Sequence, residues 1–401
     1  MIRPPILVLI SILMSGGPIF AEAGPVFSDT GFDAEAYGSL KGYPVPSLEL
    51  QPGSNQDLMV GLYSHYDKVV PMRTVSKPAT AAALKRATNE IVPVYHYDGR
   101  QKTIGDYLET QPVTGLLIAR GDTILFEHYR YARTDKDRLL SNSMVKTITA
   151  MLVGIAVSEG AILSIDDTAA TYVPELAGTE YGATPLRALL HMSSGVTFSE
   201  RHYQPDDDIF QLHLALLGYH AVGAVAALRQ FNRRDAPPNS RFAYASSETE
   251  LLGLVVSRAV KMSLADYLST RIWQKLGAEA DAAWAVDPTG QEVAYCCFIA
   301  TLRDWARLGL MLANDGAWNG QQIVPKQWLL DATTVPADSY PTQYDCSVLG
   351  LWISDLAAAG RAADVPSLGY PRTRYIRGSS VEVDNGTHCG ATETCRRSQG
   401  S

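Results

Sequence analysis

Ser143-Met144-Val145-Lys146-Thr147-Ile148-Thr149-Ala150-Met151-Leu152-Val153-Gly154-Ile155-Ala156 is the stretch whose reading decides the fold. Its apolar residues recur near helical spacing and leave little polar surface, which predicts a buried helix over 143–159. Gly160 suits the C-terminal cap. A serine and a lysine three residues apart share one face of such a helix. Burial disfavours an ammonium group, so a lysine in this first turn needs a partner or loses its charge. A neutral or hydrogen-bonded amine there can take the proton of a serine hydroxyl, which is otherwise a weak nucleophile. Ser143 at the helix start also has free backbone N–H groups and the positive end of the dipole beside it, which favours an oxyanion. Ser-x-x-Lys is a short pattern that chance can supply. Lys146, however, is the only lysine in the chain with a serine three positions before it.

A second pattern, Tyr244-Ala245-Ser246, follows about a hundred residues later. Alone it reads as a turn or a strand edge. Paired with Ser143 and Lys146, its tyrosine becomes a proton carrier for the same site. His191 reads as a structural histidine, because a Ser–Lys–Tyr relay has no need of an imidazole.

The chain has 401 residues, a formal charge of −8 and 46% hydrophobic residues, enough for a large core in one or two domains. The acidic balance and the lack of a basic run argue against nucleic acid as a partner. Arg3, the apolar run 6–14 and Ala21-Glu22-Ala23 read as a cleavable export signal over 1–23. That predicts a periplasmic or secreted protein without a stable membrane anchor. The five cysteines are irregularly spaced and make no disulfide framework, and Cys296 and Cys297, in an apolar run, read as buried thiols. No His-Glu-x-x-His pattern and no phosphate-binding Gly-Lys-Ser/Thr loop occurs, so neither a metal nor a cofactor is expected.

Residues 24–98 are rich in Pro, Gly, Ser and Tyr and read as an arm wrapped on the main domain, an N-terminal extension. Two β-like runs, 115–120 and 123–129, are joined by the turn signal Gly121-Asp122. Residues 161 to about 300 read as mainly helical, with helices near 185–191, 251–260, 264–276 and 300–313. Strands, then helices, then an expected return to strands predict an α/β fold: a sheet flanked by helices, with an inserted all-helical subdomain and the site at their junction.

Further segments carry a family resemblance. Gly160-Ala161-Ile162-Leu163-Ser164-Ile165-Asp166-Asp167, Leu189-Leu190-His191-Met192-Ser193-Ser194-Gly195, Arg241-Phe242-Ala243-Tyr244-Ala245-Ser246 and Thr301-Leu302-Arg303-Asp304-Trp305-Ala306-Arg307 resemble, in this order, segments of the serine β-lactamase-related superfamily. Within it the chain resembles the branch of 6-aminohexanoate-dimer hydrolases and class C-like esterases, over roughly residues 100–340. The resemblance implies a β-lactamase/transpeptidase-like antiparallel sheet and an acyl-enzyme mechanism on a small amide or ester substrate. Ser143 would be the nucleophile and its N–H an oxyanion donor, Lys146 the proton partner, Tyr244 the general base and acid, and Ser246 a supporting residue. Tyr203, Asp206 and Asp207 lie in a polar segment where the dimer hydrolases place a tyrosine and acidic residues. That segment is either a solvated loop or a substrate-side lid that favours a cationic amine. β-Lactamase and D-Ala-D-Ala peptidase activities share the fold, and a non-catalytic binding or remnant protein would carry the same motifs.

The hydrolase domain reads as 99–343, and the tail 344–401 departs from the pattern. It holds no Lys-Ser/Thr-Gly segment and little alternation, but three of the five cysteines. Back-translated and read one base later from about residue 345, it can encode strands of the missing kind, including Gly-Gln-Gly-Ile-Tyr-Val and Leu-Lys-Leu-Ile-Met-Val. A frameshift near residues 340–346 is therefore expected.

Overall fold

Gly121 takes φ +60°, the left-handed turn conformation that the Gly-Asp signal promised. It joins two antiparallel strands with the predicted bounds. The computed structural model describes residues 29–48, 55–97, 99–201 and 206–333, with four short strands beyond them: Ser347–Val348, Leu351–Trp352, Arg374–Ile376 and Ser380–Glu382. The signal segment 1–23, Tyr203 and the rest of the tail 344–401 lie outside the described residues.

In chain order the elements are α1 (Met59–Ser64), β1 (Met72–Val75), β2 (Lys85–Arg86), β3 (Val94–Tyr97), β4 (Arg100–Thr103), α2 (Ile104–Thr110), β5 (Gly115–Arg120), β6 (Thr123–Tyr129) and β7 (Arg138–Leu140). Then come α3 (Val145–Ser158), α4 (Leu186–Leu190), α5 (Asp208–Leu217), α6 (Ala224–Leu228), α7 (Ser246–Val260), α8 (Leu264–Leu268), β8 (Ala282–Ala285), β9 (Phe298–Thr301), α9 (Leu302–Ala313), β10 (Ala317–Trp318), β11 (Gln321–Gln322) and α10 (Lys326–Thr333). Between β7 and β8 the regular elements are all helical, which is the inserted subdomain the sequence predicts.

The central sheet is antiparallel, in the order β1-β8-β9-β7. A second sheet, β2-β6-β5, carries the hairpin. Among the described residues no hydrogen-bonded strand joins the two. β1 comes from the N-terminal extension, so the arm is an edge strand of the central sheet.

Two readings need correction. The region 161–300 is not helical throughout, because β8 and the start of β9 lie inside it. Both strands are buried along their whole length, so they lack the polar alternation that marks a strand with one wet face. The run 300–313 divides into the end of β9 and helix α9, which begins only after Thr301, whose hydroxyl accepts the Asp304 N–H as an N-cap.

A knot of aromatic rings fixes these strands to their helices. Phe298 meets Trp273, Trp284 and Trp305 edge to face, with centroids 5.4–5.6 Å apart. Helix α3 is buried from Val145 to Ala156 and packs beside α7. The all-round apolar pattern therefore describes a helix at the centre of the molecule. No described helix is long and apolar enough to cross a membrane.

Candidate active site

Ser143 lies in a single 3-10 turn, Asn142–Met144, that leads into α3, so the α-helix proper starts at Val145, two residues later than the spacing predicts. The N–H groups of such a first turn have no intrahelical acceptors, which leaves this end electropositive. Lys146 follows on the same face. It is 1% exposed, with Nζ 2.9 Å from Ser143 Oγ, and it donates to the carbonyl of Tyr295 at 2.9 Å. Burial pulls its pKa down to about 8, while the carboxylates of Glu200 and Glu250 oppose the fall. A neutral amine that donates one N–H to a carbonyl keeps its lone pair for a second neighbour, and here that neighbour is Ser143 Oγ.

Tyr244 arrives from the far side on a loop laced to the segment 192–195. The Ala243 N–H donates to the Met192 carbonyl at 2.7 Å and the Asn239 N–H to that of Ser193 at 2.8 Å. Gly195, at φ +74°, lets that segment turn against the loop, since a Cβ there would sit 1.9 Å from the Ala236 carbonyl oxygen. The Tyr244 hydroxyl then donates to Ser143 Oγ at 2.9 Å, and Lys146 Nζ lies 5.1 Å from the centre of its ring. The structure thus brings Ser143, Lys146 and Tyr244, which span a hundred residues of sequence, to one point.

Ser246 is buried at the first turn of α7, and its hydroxyl points elsewhere. It donates to Glu200 at 2.8 Å, and its N–H donates to the other oxygen of that carboxylate at 2.7 Å. Glu200 is a residue that the sequence reading missed. It ends an irregular segment with no periodicity to single it out, and only the fold sets it against the start of α7. Tyr295, whose contribution is a main-chain carbonyl, was equally invisible. Glu248 and Glu250 on α7 are both buried, and burial pushes each up to about 8. Glu248 accepts from Ser194 and Glu250 from the Ala294 N–H, so these acids secure the two segments that flank the site.

The acidic segment is partly paired within itself. Arg201 pairs with Asp206 at 3.1 Å and with the fully buried Asp207 at 2.9 Å, and its N–H also donates to Asp207. One guanidinium offsets part of the segment's negative charge and Asp206 stays largely exposed, a pairing that residue spacing does not reveal. Tyr203, the third member of that set, lies outside the described residues.

Cys296 and Cys297 are likewise not free thiols. They form a disulfide between adjacent residues. Their Cα atoms are 3.7 Å apart, below the usual range for a disulfide, so adjacency in sequence argues against the bond that the structure contains. With His213 they are the group of metal-ligand types that converges among the described residues, donor atoms lying within 4.8 Å, but both sulfurs are engaged with each other. A cavity of about 440 Å³ lined by Arg73, Lys261, Gln291 and Glu292 includes none of the three converging residues.

Comparison with known proteins agrees with this architecture. A family model described as Beta-lactamase matches residues 101–368. The chain is 29% identical over 276 residues to the 6-aminohexanoate-dimer hydrolase of Paenarthrobacter ureafaciens, covering 67% of this chain and 68% of that one. A solved structure described as "Putative 6-aminohexanoate-dimer hydrolase from Bacillus anthracis" superimposes with a TM-score of 0.64 at 25% identity, covering 71% of this chain and 76% of that chain. With the antiparallel sheet, the inserted helices and a family match over two thirds of its length, this chain belongs to the β-lactamase family and has the β-lactamase/transpeptidase-like fold.

Proposed function

We propose that this β-lactamase-family hydrolase is an exported serine amidase or esterase that works through an acyl-enzyme on Ser143. The observation that carries the reading is the approach of both Lys146 Nζ and the Tyr244 hydroxyl to 2.9 Å from one serine oxygen, with the lysine buried. Neutral Lys146 takes the Ser143 proton as Oγ attacks the substrate carbonyl. The first-turn N–H of Ser143 faces the developing oxyanion. Tyr244 protonates the leaving amine and regains a proton from the Lys146 ammonium. Water then adds to the acyl-enzyme by the reverse relay, which releases the acid and restores Ser143. The substrate class is a short amide or ester, by analogy with the dimer hydrolase that the chain resembles.

Labelling with a fluorophosphonate probe, mapped by mass spectrometry, tests the nucleophile. A panel of p-nitrophenyl esters, nitrocefin and 6-aminohexanoate dimer tests the substrate class. Ser143→Ala should lose both labelling and hydrolysis while it keeps its fold. Labelling elsewhere, or turnover retained in that variant, would show that the helix start is not the site.

The tail belongs to the same proposal. No hydrogen-bonded strand joins the two sheets among the described residues, where the short strand Ser380–Glu382 packs beside Gly115–Arg120, and the tail read one base later can encode longer strands of the closing kind. We propose that the gene, or its reading, shifts frame near residues 340–346.

A further inference from the structure

Residues 294–298 form a strap across the start of α3, and successive residues are tied to the site. The Ala294 carbonyl accepts from Thr149 Oγ1 at 2.9 Å, and its N–H donates to Glu250 at 2.7 Å. The Tyr295 carbonyl accepts from Lys146 at 2.9 Å, and its hydroxyl lies 3.2 Å from His213 Nδ1. Phe298 exchanges two bonds with Ser141, two residues before the nucleophile: its N–H donates to Ser141 Oγ at 3.1 Å, and its carbonyl accepts the Ser141 N–H at 2.7 Å. Only Cys296 and Cys297 separate the anchor of the lysine from the anchor of the nucleophile turn.

Cys297 sits at φ +70°, a left-handed conformation that is strained for a non-glycine residue. Something nearby must therefore hold it there. Its carbonyl accepts from the Ala285 N–H at 3.0 Å, its Sγ lies 3.6 Å from the Tyr66 hydroxyl, and the covalent tie is the bond to Cys296.

We propose that the Cys296–Cys297 disulfide is a positioning element of the catalytic site. By closing a small ring around the 296–297 peptide it keeps the Tyr295 carbonyl on Lys146 and Phe298 on Ser141. A dithiol reductant reverses the effect. It supplies two electrons and two protons, the S–S bond opens to two thiols, and the reductant leaves as its own disulfide. With the ring open the strap relaxes, and Lys146 loses the acceptor that orients its lone pair. Misplacement of a reacting group by about 1 Å costs on the order of 10²-fold in rate.

The inference rests on the reading of Ser143 and Lys146 as the reacting pair, and its test separates the two. The purified full chain is compared before and after dithiothreitol, with the 296–297 bond mapped by alkylation and mass spectrometry. The expected result is a fall of about tenfold to a hundredfold in kcat with KM changed less than about twofold, restored on reoxidation. The double variant Cys296→Ala/Cys297→Ala should show the reduced rate and no response to dithiothreitol. Hydrogen exchange of the Ser141 and Phe298 amides should quicken on reduction, while that of α9 should not. A protein with no 296–297 bond before reduction, a reduced protein with unchanged kcat, or unchanged exchange at those two amides would overturn the proposal. If the oxidised protein neither hydrolyses nor labels at Ser143, the catalytic reading fails, and amide exchange alone decides the role of the strap.

Discussion

In the proposed mechanism Lys146 sets the pH dependence of the first chemical step, and Glu200 tunes it. With its pKa brought down to about 8, the amine is neutral in about half the molecules at pH 8, about a tenth at pH 7 and about a hundredth at pH 6. If the neutral amine takes the Ser143 proton, kcat/KM on a p-nitrophenyl ester rises nearly tenfold from pH 6 to 7 and flattens above about pH 8. The perturbation is Glu200→Gln. Of the two carboxylates that favour the charged lysine, Glu200 exerts the larger pull. Its removal eases deprotonation and moves the rising limb to lower pH. A displacement of about half a unit triples the neutral fraction at pH 6. Above pH 8 the variant should be slower, because glutamine replaces a carboxylate that accepts both the N–H and the hydroxyl of Ser246. Initial rates from pH 5.5 to 10 at constant ionic strength, after a check for irreversible inactivation, measure both limbs. A flat wild-type profile between pH 6 and 8, or a limb near the ordinary lysine value, would refute the neutral-amine mechanism. A limb that stays put or moves upward in Glu200→Gln would refute the electrostatic role of that carboxylate.

Three more outcomes are expected. Tyr244→Phe should lose about 10²–10⁴-fold in rate, more on amides than on p-nitrophenyl esters, because only an amine leaving group must be protonated; equal losses would assign the tyrosine a positioning role. Lys146→Met should abolish hydrolysis yet raise stability to denaturant at pH 7 by up to roughly 3 kcal/mol. The buried amine holds its proton less tightly folded than unfolded, so it weakens the fold below about pH 8, and that loss is recovered between about pH 8 and 10.5. A chain re-read one base later from about residue 345 should be more soluble and hydrolyse faster than the chain as it stands, because longer closing strands leave less sheet edge unpaired. Resequencing the locus decides the last point: a sound nucleotide sequence whose shifted frame encodes no glycine-rich strand ends the idea.

The sequence by itself was enough for the buried helix, because an all-round apolar run with a serine and a lysine in its first turn has few other uses. It was also enough for the hairpin, because Gly121-Asp122 specifies its turn locally. Local chemistry did not announce β8 and β9: strands buried on both faces carry no alternation, and only their places in the sheet make them strands. The same division runs through the site. Ser143 and Lys146 are neighbours on one helix, so their spacing states their relation. The meeting of Tyr244 with Ser143, the Tyr295 carbonyl on Lys146 and the carboxylate of Glu200 on Ser246 depend on contacts between segments 46–149 residues apart. The acidic residues at 206 and 207 show the limit most clearly. Their charge is plain in the sequence, but that Arg201 pairs with both of them is recorded only in the tertiary structure.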